Sequence, residues 1–333
     1  MPDLSRRIAD LPPARRLLFE RLLKGETAAT ARGETGPASR KRPQAAVSTQ
    51  KSVTPSAELV FAPGSSQDEA KAAYRDFYNG VSEQLNATDF GDFSFFLNYG
   101  YVPDQHAQYA RVRLPDRYLN KNSVRLALEL VGDCDIVGRR VLDVGCGRGG
   151  TVSVIHKFFA PRMVTGLDLS SAAISFCRKA HAYAGVAFLE GDAEALPFRN
   201  NSFDVVTNVE SSHSYPDIER FYSEVFRVLA PQGHFLYTDV LPAGRMNDCT
   251  GLLKDIGFSV ARAQDITTNV LLSCDQIAGT RAGAFGTGRD SGIVLEFLAV
   301  PGSEVYEEMR LGRCVYKMFE LKKVERGNRW EAS

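Results

Sequence analysis

Long apolar runs are missing from this 333-residue sequence. None approaches the ~18–20 residues that a helix needs to cross a bilayer, which argues against a membrane span. The opening MPDLSRRIADLPPARR carries charges and prolines where a secretory signal would need an apolar stretch. Net charge is absent too. Lys and Arg together number 40, as do Asp and Glu, so no whole-chain field favours nucleic acid or acidic lipid. Cysteine is sparse: Cys134, Cys146, Cys177, Cys249, Cys274 and Cys314 stand at gaps of 12, 31, 72, 25 and 40 residues. With no CxxC pair and no Cys/His group at zinc spacing, neither a disulfide framework nor a sequence-legible metal site is expected. The expectation is six reduced thiols in a cytoplasmic protein with no bound metal.

What is present divides into zones. Residues 1–25 place Leu17, Leu18, Leu22 and Leu23 at helical spacing after Pro12-Pro13, the pattern of an amphipathic N-terminal helix. Residues 26–65 form an expected disordered linker. Up to residue 57 this linker has almost no large apolar side chains and could not offset the entropy of ordering. Residues 1–57 hold 11 Lys and Arg against 5 Asp and Glu, a surplus of 6 that the remainder balances. Residues 66–137 then contain two helical patterns, 68–85 and 123–132, on either side of DFGDFSFFLNYGYVPD (89–104). Exposed aromatics at that density would be a liability, so this segment is expected to cover something. The stretch 138–325 reads as the main domain and 326–333 as a tail.

Within 138–325 strands and helices alternate. Strand patterns occur at 139–145, 163–169, 186–192, 203–209 and 234–240, with helices at 150–159, 171–184 and 217–229 and a turn at Ala-Pro-Gln-Gly (230–233). This order demands a parallel sheet covered by helices on both faces. Right-handed crossovers make it a doubly wound, Rossmann-like α/β fold. The first strand runs into Gly145-Cys146-Gly147-Arg148-Gly149-Gly150, a turn that lets backbone amides approach a ligand at a helix N-terminus. Asp143 lies inside that strand. Asp168 ends the second strand, 23 residues after Gly145, where a carboxylate can take both hydroxyls of a ribose. Asp192 follows the third strand, placed to accept from an adenine amino group, with Leu196 or Phe198 near the purine.

VLDVGCGRGG (141–150), TGLDLS (165–170), GDAEALPF (191–198), SFDVV (202–206) and RVLAPQGHF (227–235) together resemble the class I methyltransferases that use S-adenosylmethionine (SAM). The resemblance implies a mostly parallel seven-stranded sheet with a helical N-terminal lid. It places Asp143, Gly145 and Gly147, with Cys146 in the same loop, at the methionine part of SAM. It assigns Asp168 to the ribose and Asp192 to the adenine, with Leu169, Ala193 and Asn208 also in contact with the cofactor. A nicotinamide-binding Rossmann domain is the competing reading of the glycine loop alone; such enzymes rarely carry the DVGCG and GDAEALPF pair.

At the exit of the fourth strand stands NVESSHSYPD (208–217). Glu210 and His213, three residues apart at the ligand edge of the sheet, suggest a general-base pair; the alternative is a structural His capping the next helix. His156 and His181 are expected on helix surfaces. With FLNYGY (96–101), this segment is similar to the O-methyltransferase domains of polyketide synthases and to phthiotriol-type lipid methyltransferases. That similarity implies that Tyr99 and Tyr101 lie over SAM and that His213 deprotonates the acceptor, with Glu210, or less well Glu296, as its acidic partner. Residues 244–312 are expected to supply helices of the acceptor pocket and 314–323 the closing strand. The function so implied is O-methylation of a hydroxyl, enol or carboxylate on a polyketide or hybrid-peptide acceptor. C-methylation of a lipid acceptor and an inactive SAM-binding scaffold are the alternatives. Residues 1–25 resemble linker helices of synthase modules, which would dock a carrier protein.

Overall fold

A computed structural model describes residues 66–87, 91–104, 112, 114–115, 118, 120–285 and 299–324. The expected N-terminal helix and linker (1–65), the tail (326–333) and Glu296 lie outside the described residues. The described part opens with α1 (Gln67–Asn86), started by a capping box in which Ser66 accepts from the Glu69 N–H and Glu69 accepts from the Ser66 N–H. A short 3₁₀ turn (Gly91–Phe93) and the aromatic segment lead to α2 (Lys121–Val131). The alternating part follows: β1 (Arg140–Val144), α3 (Gly150–Phe159), β2 (Met163–Asp168), α4 (Ser171–Ala180), β3 (Val186–Glu190), β4 (Phe203–Val209) and α5 (Ile218–Val228). It ends with β5 (Leu229–Pro242), α6 (Ala243–Ile256), β6 (Phe258–Asp265), α7 (Thr267–Phe285), α8 (Glu304–Arg310) and β7 (Cys314–Lys323).

The seven strands lie in the order β3-β2-β1-β4-β5-β7-β6. Only β7 runs antiparallel, pairing with both β5 and β6. Val141, Leu142 and Val144 of β1 are fully buried, as expected where helices cover both faces of a parallel strand. One core packs α2, α3 and Tyr101 on one face. The other is built from Phe221, Tyr222, Val225 and Val228 of α5 with Met246, Cys249 and Leu253 of α6. Consecutive strands step from β1 out to β3, then return past β1 to β4. The strand order therefore reverses between β1 and β4, which opens a crevice beyond their carboxyl ends.

Three sequence expectations change here. The Ala-Pro-Gln-Gly turn is a bulge inside β5: Phe203 pairs with Leu229 but Val205 with His234, so the extra residues loop out, with Gln232 at φ 62°. Residues 258–265 form an edge strand that sequence reading missed, because FSVARAQD carries only two large apolar side chains. His181 is not a surface residue. It is buried after α4, where its Nε2 contacts the Arg148 carbonyl oxygen at 2.9 Å.

Candidate active site

A cavity of about 1200 Å³ opens beyond the carboxyl ends of β1, β2 and β4. Its floor is the glycine loop, including Gly145, Cys146 and Gly147, followed by Gly150 and Thr151 at the start of α3. Gly145 (φ +67°) is packed so closely that an added Cβ would lie 2.2 Å from the Ser211 Oγ. Gly147 (φ +50°) is different: a Cβ there would meet nothing nearer than Leu97 at 3.9 Å. That space lies on the cavity side of the loop. The N-terminus of α3 has no side-chain cap, so its first N–H groups and the positive end of its dipole are available to an anion such as an amino-acid carboxylate.

Asp168 ends β2 on the cavity wall, flanked by Leu169. Its Oδ2 accepts from the Gly147 N–H at 2.7 Å and its Oδ1 from the Ser170 N–H at 2.8 Å, which ties the glycine loop to β2. Burial raises the pKa of this carboxyl, partly offset by those N–H donors. Each oxygen keeps acceptor capacity for a hydroxyl. Asp192 and Ala193 line the wall after β3, and Asp192 Oδ2 accepts from Lys71 Nζ of α1 at 2.8 Å. A carboxylate for two hydroxyls, a second one for an amino group, and an uncapped helix end fit the ribose, adenine and methionine parts of SAM.

Five assigned residues lie elsewhere. Asp143 is buried behind the loop and does not line the cavity. Its Oδ1 accepts from the Thr207 hydroxyl at 2.6 Å, and burial pushes its carboxyl up to about 7. Asn208 is also buried and uses its amide on the Val144 carbonyl and the Ser211 hydroxyl, bracing β4 against β1. Tyr101 is wholly buried in the core. Only Tyr99 of the two tyrosines faces the cavity, along with Phe95, Phe96 and Leu97. Leu196 and Phe198 do not reach it; Leu196 packs in the core beside α5. Among the described residues, none between 244 and 312 lines the cavity either. Its roof comes from α1 instead, through Lys71, Tyr74, Tyr78 and Ser82.

Arg148 explains how that roof is held. It is 1% exposed and stacks on the Phe176 ring. Its guanidinium donates to the Ser82 carbonyl and hydroxyl on α1 and to the carbonyls of Gly91 and Ser94. Asn79 adds a second tie, its Oδ1 accepting from the Ser170 hydroxyl and the Ala172 N–H. Neither residue stands out in the sequence, because their hydrogen-bond partners are 50 or more residues away.

His213 sits on a 3₁₀ turn (Ser212–Ser214) just past β4 and lines the cavity. The carboxylate that meets it is Asp239 of β5, not Glu210. His213 Nδ1 lies 2.8 Å from Asp239 Oδ1, and Asp239 Oδ2 accepts from the His213 backbone N–H at 3.1 Å and the Ser212 hydroxyl at 2.6 Å. Asp239 is completely buried, so the carboxylate is fixed and places the imidazole proton on Nδ1. Nε2 is left to accept a proton from the cavity. Burial lowers the pKa of His213, but the negative charges of Asp239 and Glu210 outweigh it and leave the imidazole above its ordinary value. The sequence did hold a signal for Asp239: it is an acidic residue at the cavity end of the strand next to β4.

Glu210 does something else. It has φ 48°, a left-handed conformation uncommon outside glycine. Both its oxygens accept from the Tyr99 N–H, at 2.9 and 3.1 Å, and Oε1 also accepts from the Tyr316 hydroxyl of β7. Burial pushes its carboxyl up to about 7. Glu210 thus pins the aromatic segment to β4 and β7. Glu210→Ala would remove the carboxylate that accepts from the Tyr99 N–H and the Tyr316 hydroxyl, at about 1–3 kcal/mol each. The expected result is a KM for SAM raised roughly tenfold or more, with kcat changed less and Glu210→Gln restoring most of the loss. A selective drop in kcat at unchanged KM would instead give Glu210 the role of partner to His213.

The chain resembles known proteins along most of this architecture. A family model described as "Methyltransferase domain" matches residues 142–237. A fatty-acid O-methyltransferase of Mycolicibacterium smegmatis is 37% identical over 263 residues, covering 75% of this chain and 89% of that protein. A phthiotriol/phenolphthiotriol dimycocerosates methyltransferase of Mycobacterium leprae is 29% identical over 265 residues, covering 76% of this chain and 93% of that protein. Geranyl diphosphate C-methyltransferase from Streptomyces coelicolor, solved with S-adenosyl-L-homocysteine, superposes with a TM-score of 0.58 at 19% identity, covering 79% of this chain and 100% of that one. The [4+2]-cyclase SpnF superposes at 0.57 and 20% identity, over 75% of this chain and 95% of that one. At such identities these structures share the fold alone. The glycine loop, the carboxylates ending β2 and following β3, and the 37% identity to a relative matched over nearly its whole length lead to one conclusion: the chain belongs to the class I SAM-dependent methyltransferases.

Proposed function

We propose that this methyltransferase acts on oxygen, methylating a hydroxyl or enol of an apolar acceptor of lipid or polyketide type. The observation that carries this reading is the His213–Asp239 pair at the cavity wall. A hydroxyl attacks poorly until its proton leaves, and an imidazole with Nε2 free and Nδ1 held by a fixed carboxylate is suited to remove it. SAM, when bound, supplies a methyl group on a sulfonium that leaves as S-adenosylhomocysteine. Asp168, Asp192 and the glycine loop hold that partner. His213 takes the acceptor proton at Nε2, and Asp239 steadies the imidazolium that results. Fixing both reactants in one cavity supplies much of the acceleration.

The acceptor's apolar character is supported by the roof beside His213, where Tyr74, Tyr78, Leu97, Tyr99 and Val209 line the cavity. It is supported too by a relative named for O-methylation of fatty acids. That name favours a second reading, a carboxylate acceptor, which would need no base. The two separate by product analysis. The enzyme is incubated with deuterated-methyl SAM and a panel of long-chain alcohols, enols and carboxylic acids. Labelled methyl ethers are expected. Methyl esters alone would keep oxygen transfer but remove the base from the mechanism, and label bound to carbon would sink the proposal.

A further inference from the structure

We propose that Cys134, His234 and Glu320 form a binding site for a divalent transition metal of zinc type, remote from methyl transfer. Their ligand atoms all lie within 4.8 Å of one another, though the residues are spread over 187 positions of the chain. His234 pairs with Lys322 and Leu236 with Glu320 across β5 and β7, so His234 and Glu320 are diagonal neighbours on one face of the sheet. His234 Nδ1 and Glu320 Oε1 are 3.1 Å apart. Nitrogen and oxygen ligands about 2.0–2.2 Å from a tetrahedral zinc stand about 3.3–3.5 Å apart, so this pair already spans one edge of such a site. Cys134 comes down from the turn after α2 and offers its sulfur, within 4.8 Å of the other two ligand atoms, as the third corner.

The donor set is chemically selective. One sulfur, one nitrogen and one oxygen suit Zn²⁺ or Co²⁺ and not Mg²⁺ or Ca²⁺, which take oxygen. Glu320 is available: Arg262, its register partner on β6, donates through Nη2 to the carbonyls of Glu129 and Leu130. Among the described residues His234 is the only basic side chain within ion-pair distance of Glu320. The His234 and Glu320 side chains are 29% and 22% exposed, which gives an ion a route in and leaves a fourth position for water. His234 precedes Asp239 by five residues on β5, about 16 Å along a strand. The group therefore sits at the end of the sheet away from the cavity, where a metal would tie the end of α2 to β5 and β7.

The full-length protein, stripped with chelator, is titrated with CoCl₂ and then ZnCl₂. One Co²⁺ per chain is expected, with a thiolate-to-cobalt charge-transfer band and the visible bands of four-coordination, both removed by Zn²⁺. Cys134→Ser should lose the charge-transfer band. His234→Ala should weaken Co²⁺ binding roughly tenfold or more, since even an outer-shell partner of a metal site is worth that much. Both variants should keep methyl transfer and SAM affinity. No thiolate band in the parent protein, or a band that persists in Cys134→Ser through one of the other five cysteines, would overturn the assignment.

Discussion

His213→Ala is expected to slow methyl transfer by about 10²–10⁴, the contribution of a positioned general base, while SAM affinity stays nearly unchanged. The proposed cofactor site lies at the ends of β1, β2 and β3, whereas His213 follows β4 and is fixed by Asp239 of β5. The pH profile of the parent enzyme gives an independent check. The pKa of His213 stands above its ordinary value of 6.5. A base works when deprotonated, so kcat should be full above the raised pKa and fall as the pH drops through it. Glu210 titrates too, its buried carboxyl pushed up to about 7. Glu210→Gln removes that second transition and should leave the His213 limb in place. Activity of His213→Ala within a few-fold of the parent across pH 6–9 would eliminate the base and favour the carboxylate acceptor. Loss of SAM affinity in parallel with rate would make His213 structural.

The second large effect falls on binding. Asp168→Ala removes a charged acceptor for two ribose hydroxyls, at about 1.5–3 kcal/mol for each hydrogen bond, or roughly 10²–10⁴ in SAM affinity. The same carboxylate accepts from the Gly147 and Ser170 N–H groups, so the substitution also loosens the glycine loop. Asp168→Asn separates these contributions, because its one carbonyl oxygen can serve only part of that set. Its affinity should fall between those of the parent and the alanine variant. Calorimetric titration with SAM reads both. An unchanged affinity in Asp168→Ala would mean that the end of β2 does not meet the ribose.

The repeated β–α order was legible in the residues because each parallel strand is a short apolar run and each helix buries one stripe. Helix 150–159 and strand 203–209 match their sequence limits for that reason. The glycine loop and Asp168 were legible because the chemistry there depends on local backbone: a turn, a helix start, a carboxylate at a strand end. Edge strand β6 was not, since a strand paired on one side only needs few apolar residues.

Tertiary structure decided what depends on contacts between distant segments. The sequence offered Glu210 as the partner of His213 because it stands three residues away. Yet a residue just past a strand end points where the local backbone sends it, and Glu210 at φ 48° turns to Tyr99 and Tyr316. The imidazole meets Asp239, 26 residues on, because β5 lies beside β4 in the sheet. Tyr101 and Asn208 carry the right chemistry for a cofactor contact but are turned into the core, while Lys71 and Arg148 reach the site or its roof through an α1 that packs across the cavity. Cys134, His234 and Glu320 likewise meet only through the β5–β7 register and the turn after α2. A sequence by itself states the residue types and the local backbone, and here that determined the fold and the cofactor. Which side chains share a few ångströms is set by strand order and register, and here that decided which carboxylate meets His213 and the shape of the cavity.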